Sequence, residues 1–179
     1  KEYEGFSRAV KMVMQAGQAL RGIHGPVASL MKTDSRYSLA VEIALGAGLQ
    51  NIVVDREEDA KAAIGFLKRK DAGRATFLPL SAIRGEELHQ PGVESEFGFV
   101  GLASRLVRFD AQYGQIFRSL LGRTVIVEDL DCGIAMARKY RNAFRIVTLD
   151  GQVINRGGSM TGGSTSRSAG VLSRASELE

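Results

Sequence analysis

The residues best placed to do chemistry in this 179-residue chain are two glycine pairs five positions apart. Gly157 and Gly158 form the first pair, Gly162 and Gly163 form the second, and an apolar segment at residues 153–154 precedes them. Glycine permits positive φ angles and the close approach of another backbone. Such a segment can therefore cradle a phosphate, act as a flexible linker, or offer bare main chain for another strand to pack against.

A phosphate cradle would need partners that this loop lacks. A Walker loop requires a lysine and a hydroxyl residue after its last glycine, and here Ser164 follows directly with no lysine in the loop. A Rossmann turn requires a G-x-G-x-x-G spacing, which does not fit. Met160 and the preceding strand disfavour a plain linker. The pattern favours packing against another backbone.

Other reactive residues are sparse and scattered. Cys132 is the single cysteine, so no internal disulfide forms, and we predict that it is a small buried apolar residue. His24 and His89 are the two histidines, and neither lies in a sequence pattern typical of a triad or a metal site. We predict a structural role for His24, no metal and no catalytic residues.

Composition favours a folded protein of the cell interior. With 44% apolar residues, the chain can bury one core or two small subdomains that share an interface. No apolar run reaches the roughly 18 residues that cross a bilayer, and the start lacks a secretory pattern. We expect a soluble cytoplasmic protein with no membrane contact. The start at Lys1 and the helix-like end also suggest a piece of a longer protein.

The net charge of +4 is unevenly distributed. Residues 1–36 carry six basic and three acidic groups, residues 37–99 carry seven and ten, and residues 100–179 carry eleven and seven. Any contact with nucleic acid should therefore involve the ends of the chain. Ordinary solvated surfaces explain the same charges, and the sequence leaves both interpretations open.

Periodicity predicts how the glycine segment is positioned. Apolar residues at three-to-four spacing predict a helix over residues 3–20, ended by Gly22 and the Gly25–Pro26 pair. A short strand is predicted at residues 27–31 and a helix at 37–45, capped near Asp34.

One unit of helix, strand, helix and strand occurs twice. The first copy has strands at 51–54 and 74–78, and the second has strands at 124–127 and 145–149, each pair joined by a helix. Acidic residues at 55–59 and 128–131 fall where these helices begin, so we interpret them as complementing the helix dipole and not as paired catalytic carboxylates. The pattern predicts an α/β (mixed α+β) fold with parallel neighbouring strands. Residues 82–98 are expected to form an exposed linker, followed by a strand at 99–109 and a helix from Asp110 to Leu121.

The glycine segment RIVTLDGQVINRGGSMTGGS (residues 145–164) resembles the glycine-rich signature of the hinge of SMC (structural maintenance of chromosomes) proteins. The likeness extends upstream through GPVASL (25–30), ALGAGLQNIVV (44–54), AIGFLK (63–68) and GRATFLPL (73–80), in the family's order. It covers roughly residues 22–165 and is closest to bacterial or archaeal members.

The resemblance implies a division of the chain and a partner. Residues 1–21 would end an N-terminal coiled-coil arm, 22–165 would form the hinge, and 166–179 would begin the C-terminal arm. Within the hinge, subdomain I would span about 22–81, a linker about 82–98 and subdomain II about 99–165. The partner would be a second copy, in a ring-like homodimer whose contacts include Gly157, Gly158, Gly162 and Gly163. A heterodimer, as in eukaryotic members, stays open. Bulky residues at positions 162 and 163 should abolish dimerisation.

The resemblance also implies what lies elsewhere. The family's ATPase, which uses ATP and Mg, and its kleisin-type partners belong to head domains, so this piece should need no cofactor and catalyse nothing. The full-length protein would serve chromosome condensation and segregation at the nucleoid. Hinges of the family also touch single- or double-stranded DNA through basic residues near the arm roots, which here correspond to Arg8, Lys11, Arg21, Arg167 and Arg174. The family's lysine cluster after the glycines is absent here. The alternative function is a small α/β nucleotide- or anion-binding domain that uses the glycine segment.

Overall fold

The computed structural model describes residues 5–165, and these residues form a mixed α/β fold with three sheets. The elements of the first half are, in order, α1 (Arg8–Gln15), β1 (Ile23–Pro26), β2 (Met31–Thr33), α2 (Ser35–Leu45), β3 (Ile52–Val54), α3 (Glu57–Arg69) and β4 (Phe77–Pro79). The elements of the second half are β5 (Phe99–Leu102), β6 (Val107–Phe109), α4 (Gly114–Leu121), β7 (Thr124–Val127), α5 (Leu130–Lys139), β8 (Arg145–Thr148), β9 (Val153–Ile154) and β10 (Met160–Thr161).

Each half builds its own sheet from a parallel strand pair. In the first half the strand order is β1-β3-β4, and in the second it is β10-β9-β8-β7-β5. The pairs β3–β4 and β7–β8 are parallel, as the crossover helices predicted, and all other pairs are antiparallel. Strands β1 and β5 occupy equivalent positions, and each has a register irregularity beside its glycine. The internal duplication seen in the sequence is therefore a structural duplication.

A third, two-stranded sheet joins the halves. Strand β2 pairs antiparallel with β6, with Lys32 opposite Arg108 at the centre of the ladder. A half-buried arginine adds a second link: Arg145, at the start of β8, donates a hydrogen bond to the carbonyl oxygen of Ala44 at 2.6 Å. Burial lowers the pKa of Arg145. Because α2 ends at Leu45, this guanidinium also complements the negative end of the α2 dipole.

The core runs through both halves. One cluster of buried residues extends from Phe6 to Val153 and includes apolar residues of α1, α2, α3 and α4 as well as both large sheets. A smaller cluster lies between α5 and the other face of the five-stranded sheet and includes Cys132, Met136 and Ile146. The halves thus share one core and are not two independently packed units.

The helix starts follow the predicted capping chemistry. Asp34 caps α2 through the N–H of Arg36, and Asp129 caps α5 through the N–H of Cys132. Asp59, in the first turn of α3, accepts a hydrogen bond from the N–H of Arg56. These carboxylates stabilise helix N-termini, as the interpretation of both acidic runs required.

Several predicted boundaries were wrong in the first 30 residues. The first helix ends at Gln15, and Gly25 and Pro26 lie within β1 and not in a helix-stopping turn. The predicted strand at 27–31 is a 3₁₀ turn (Val27–Ser29) between β1 and β2. The N–H of Val27 donates to the carbonyl of Asn51, which draws the preceding residues into the sheet. Burial beside β3 therefore outweighs local turn propensity at Gly25 and Pro26.

The same 3₁₀ interruption breaks the predicted strand at 99–109 into β5 and β6, with Ala103–Arg105 between them. Asp110 caps a 3₁₀ turn (Ala111–Tyr113), and α4 begins only at Gly114. Residues 82–98 lack regular strands or long helices, but they are pinned at several points. Glu87 accepts hydrogen bonds from Arg105 and Ser104, Glu96 binds Lys139 and Tyr140, and Val93 is buried. Residues 82–98 are therefore held against the second half and do not form a free flap; we call this segment the strap.

Candidate functional site

The glycine segment forms a hairpin at the edge of the five-stranded sheet. Strands β9 and β10 pair antiparallel, with Ile154 opposite Met160, and the loop between them contains Gly157 and Gly158. The N–H of Asn155 donates to the carbonyl of Ser159 at 2.7 Å, which closes the loop. Strand β10 is the last strand of its sheet, and both of its residues are exposed.

The first glycine pair shapes this loop. Gly157 and Gly158 have φ angles of 90° and 108°, in the region that side chains rarely adopt. The N–H of Gly157 donates to the carbonyl of Asn142, just beyond α5, at 2.9 Å. A Cβ on Gly158 would lie 3.3 Å from the side-chain amide nitrogen of Asn142. These glycines allow the hairpin loop to dock onto the end of α5.

The second pair is held by a side chain that imitates a strand. The amide of Gln152 accepts a hydrogen bond from the N–H of Gly163 at 2.8 Å and donates one to its carbonyl at 3.0 Å. A Cβ on Gly162 would overlap the Gln152 side-chain oxygen, and Gly163 has a φ of 132°. Both glycines are therefore required within the chain itself, which is a local reason that sequence reasoning missed.

The outer side of β10 still presents bare main chain. Since Asn155 and Ser159 form a hydrogen-bonded pair, alternation places the N–H and C=O of Met160 on the side away from β9. The Gly163–Gln152 contact likewise leaves the main chain of Gly162 facing outward. The Met160 side chain is 52% exposed, one of three large apolar side chains so exposed among residues 5–165. This edge can accept another strand.

A second open edge lies on the three-stranded sheet. The carbonyl of Thr76 and the N–H of Leu80 both bond to β3, so alternation turns the N–H and C=O of Phe77 away from it. Strand β4 is the end strand of its sheet. The adjacent helix α3 carries Ile64, which is 53% exposed. The described part of the chain therefore includes an open strand edge at β10 in the second half and another at β4 in the first half.

The hairpin glycines are poorly suited to cradle a phosphate. Such a site needs free N–H groups, but the N–H of Gly157 donates to Asn142, that of Gly158 to Asn155, and that of Gly163 to Gln152. These internal hydrogen bonds argue against the anion-binding alternative.

His24 lies at the junction of the two halves. One ring nitrogen is 2.5 Å from a carboxylate oxygen of Asp55, and the other is 2.7 Å from the hydroxyl of Tyr113. Burial raises the pKa of Tyr113, and the nearby carboxylates of Asp110 and Asp55 raise it further. The histidine connects β1 to the second half, in keeping with the predicted structural role. The separation of 89 residues between His24 and Tyr113 concealed this network from the sequence.

Cys132 is buried, as predicted. Its hydrogen bond to the Asp129 carboxylate and its burial both raise the pKa of the thiol, so the reactive thiolate is disfavoured. Among residues 5–165, no group of three or more His, Cys, Asp or Glu side chains is arranged to hold a metal ion. No helix in the same range is long and apolar enough to span a membrane.

Three of the five predicted DNA-contacting residues lie within residues 5–165. Arg8 is exposed and donates a hydrogen bond to the carbonyl of Asp71 at 2.9 Å, and Lys11 is half-buried on the same helix. Arg21 is exposed beside a polar cavity of about 340 Å³ that it shares with Asp55, Arg56 and Asp59. The carboxylates at this cavity weaken its attraction for phosphate. Arg167 and Arg174 lie outside the described residues.

Comparison with known proteins places this geometry in a family. The model of the "SMC proteins Flexible Hinge Domain" matches residues 20–137. The chain is 44% identical over 182 residues to the chromosome partition protein Smc of Bacillus subtilis, covering 99% of this chain and 15% of the relative. It is also 44% identical over 165 residues to the same protein of Methanocaldococcus jannaschii, covering 91% of this chain and 14% of the relative. The chain thus spans about 15% of the length of the curated relatives that it matches.

Solved structures similar to this chain are also SMC hinge domains. An asymmetric dimer of the Geobacillus stearothermophilus SMC hinge domain superposes with a TM-score of 0.92 at 41% identity, covering 99% of this chain and 72% of that chain. The Pyrococcus furiosus SMC hinge domain gives a TM-score of 0.75 at 33% identity, covering 89% of this chain and 81% of that chain.

Proposed function

This chain belongs to the SMC flexible hinge domain family, and on that premise we propose that it is a self-association module whose two open strand edges pair between copies. In this arrangement β10 of one copy lies beside β4 of the other. A two-fold axis then repeats the contact, so that two copies close into a ring with two equivalent interfaces.

The observation that carries this proposal is the pair of open edges. Met160 and Phe77 turn their main-chain N–H and C=O groups away from their own sheets, and edges of this kind are templates for pairing with another chain. Pairing would also cover Met160 and bring apolar surface near Ile64 out of water. The Geobacillus relative crystallised as a dimer, which supports self-association of this chain.

The glycine pairs act in this proposal by shaping the edge and by keeping it bare. Gly157 and Gly158 dock the hairpin loop onto the end of α5, and Gly162 leaves room for the Gln152 amide that holds Gly163. Beyond β10, main chain without side chains lets a neighbouring strand approach closely.

In the longer protein, we propose that the chain connects two coiled-coil arms, of which residues 1–21 and 166–179 are the roots. Its relatives are named chromosome partition proteins, and this supports a role in chromosome condensation and segregation at the cytoplasmic nucleoid. ATP, Mg and kleisin-type partners would act at head domains outside this chain. The hinge itself would catalyse nothing and need no cofactor.

We also propose a secondary contact with DNA through basic residues near the arm roots. The residues are Arg8, Lys11, Arg21, Arg167 and Arg174. Arg8 and Arg21 are exposed, and the acidic neighbours of the cavity beside Arg21 predict weak binding.

The Met160→Pro variant tests the edge-pairing proposal. Proline removes the outward N–H of Met160 but no hydrogen bond to β9, and edge strands tolerate proline there. We expect the purified variant to be monomeric by size-exclusion chromatography with light scattering across a dilution series, while the unmodified chain is a dimer. Circular dichroism should be unchanged.

Met160→Thr is the matched control, because it shortens the side chain but keeps the main-chain donor. It should remain a dimer. If Met160→Pro associates as tightly as the unmodified chain, β10 is not the contact edge.

A further inference from the structure

A groove of about 510 Å³ lies between the 82–98 strap and strand β5, away from the hairpin. Its apolar lining includes Leu88 and Val93 of the strap and Phe99, Val100, Leu102 and Leu106 on or next to β5. Glu87 and Glu94 lie at its rim together with Arg105, which is already paired with Glu87 at 2.8 Å. Neither the open edges nor the junction between the halves uses this groove.

The structural duplication shows what an equivalent site holds. Gly25 of β1 corresponds to Gly101 of β5, and Leu30 corresponds to Leu106, each five residues after its glycine. In the first half the methyl group of Met14, on α1, would lie 3.8 Å from a Cβ on Gly25, with Leu30 at 3.9 Å. An amphipathic helix therefore covers this position in the first half.

No helix covers the equivalent position in the described second half. The three atoms nearest to a Cβ on Gly101 all belong to Leu106, and the closest is 2.9 Å away. The corresponding distance from Gly25 to Leu30 is 3.9 Å, so Leu106 lies closer to its glycine than Leu30 does. The strap contributes Leu88 and Val93 to the smaller core, whereas α1 contributes Ala9, Val10 and Val13 to the larger one. The strap covers only part of the surface that α1 covers in the first half, and the groove is the part that stays uncovered.

The charge at the groove selects the kind of helix that it fits. Between Gly85 and Gly98 the strap has four glutamates and no lysine or arginine, and two of these glutamates, Glu87 and Glu94, line the groove. Glu87 and Glu96 are paired with Arg105 and Lys139, and Glu94 is exposed at the rim. Helix α1, which occupies the related site, carries Arg8 and Lys11 and no acidic residue.

We propose that this groove binds a basic amphipathic helix of a partner protein, one that presents a methionine or leucine to Gly101 and Leu106 and lysine or arginine to the glutamates. Helix-in-groove recognition uses such apolar anchors, and flexible methionine suits an irregular groove. Strand β5 is at the opposite end of its sheet from β10, so the groove stays accessible when the β10 edge is paired.

The chain's own helix supplies a probe. A fluorescein-labelled, end-capped peptide of residues 6–20 is titrated with the purified chain, and anisotropy measures binding. We expect saturable binding that is at least about tenfold weaker for the same peptide with Met14→Asp, because the apolar anchor is lost. The Lys11→Glu peptide should also bind more weakly. In the protein, Glu94→Lys should weaken binding, whereas Glu58→Lys, exposed on α3, should leave it unchanged.

Amide NMR shifts locate the bound peptide. Changes at Gly101, Leu102 and Leu106 are expected. The absence of saturable binding, or equal binding of the Met14→Asp peptide, would overturn the proposal. So would shifts confined to Gly25 and Leu30, which would mean exchange with the chain's own α1, or shifts confined to Met160, which would mean contact at the open edge.

Discussion

At the scale of single residues, the hairpin depends on a side chain that takes the place of a strand. Gln152 offers Gly163 both an acceptor and a donor, as a neighbouring strand would, and it fits only because Gly162 lacks a Cβ. A contact within the chain therefore explains the glycine at position 162. Any contact with a second copy would be additional to it.

Gly162→Ala tests this dependence. The added methyl group should displace the Gln152 amide and break two hydrogen bonds, each worth about 1 kcal/mol. If the ordered hairpin supports the dimer, the dissociation constant should rise about tenfold, as measured by sedimentation equilibrium.

Gln152→Ala provides the control through a double-mutant cycle. In that background the amide is already absent, so Gly162→Ala should have little further effect. Full additivity of the two substitutions would contradict the proposed coupling.

At the scale of elements, two carboxylates hold the 82–98 strap, and their partners lie on different elements of the second half. Hydrogen bonding to Arg105 lowers the pKa of Glu87, with Ser104 contributing, and hydrogen bonding to Lys139 and Tyr140 lowers the pKa of Glu96. Arg105 follows β5 and Lys139 ends α5, so the strap is fixed across the second half at both places.

These depressed pKa values predict how the strap responds to acid. The folded carboxylates titrate below their ordinary pKa of 4.5, so their contribution is complete above that pH and is lost as the pH falls through the folded values. We expect amide hydrogen exchange of residues 82–98, corrected for the intrinsic pH dependence, to become faster below pH 4.5 before the core opens.

The Glu87→Gln and Glu96→Gln double variant should show fast exchange of the strap at neutral pH and little further change in acid. Glu58→Gln, on the exposed surface of α3, is the control and should behave like the unmodified chain. A strap whose protection does not change with pH in the unmodified chain would refute the role of these two pairs.

At the scale of the whole molecule, duplication produces a chain with two related sheets and one shared core, and the open edges at β4 and β10 lie on different sheets. Because the two open edges lie on different halves, each copy carries both members of the proposed contact. Two copies related by a two-fold axis can then pair both edges with each other, which gives a closed dimer.

Charge at this scale predicts weak, salt-dependent binding of DNA. Fluorescence anisotropy with single- and double-stranded oligonucleotides should give affinities that fall steeply between low and high salt, with a log–log slope near −0.9 per neutralised phosphate for duplex DNA. Arg21→Ala should make this slope shallower. Arg123→Ala, an exposed arginine before β7, is the control. A signal that does not respond to salt would indicate that the basic residues are ordinary solvated surface.

The sequence alone determined the alternation of strands and helices, the duplication and the identity of the glycine segment. The parallel pairs β3–β4 and β7–β8, and the helix starts at acidic residues, follow from short-range patterns within the sequence. The resemblance to SMC hinges came from the same local strings, and the comparisons confirmed it.

Only the tertiary structure decided which strand edges stay open and which local preferences give way. Gly25 and Pro26 join a strand because β3 lies beside them, and His24 meets Tyr113 across 89 residues. The support that Gln152 gives Gly163 likewise depends on the fold of the hairpin. Each of these outcomes depends on which residues the whole fold brings together, and the sequence of a single segment does not determine its long-range neighbours.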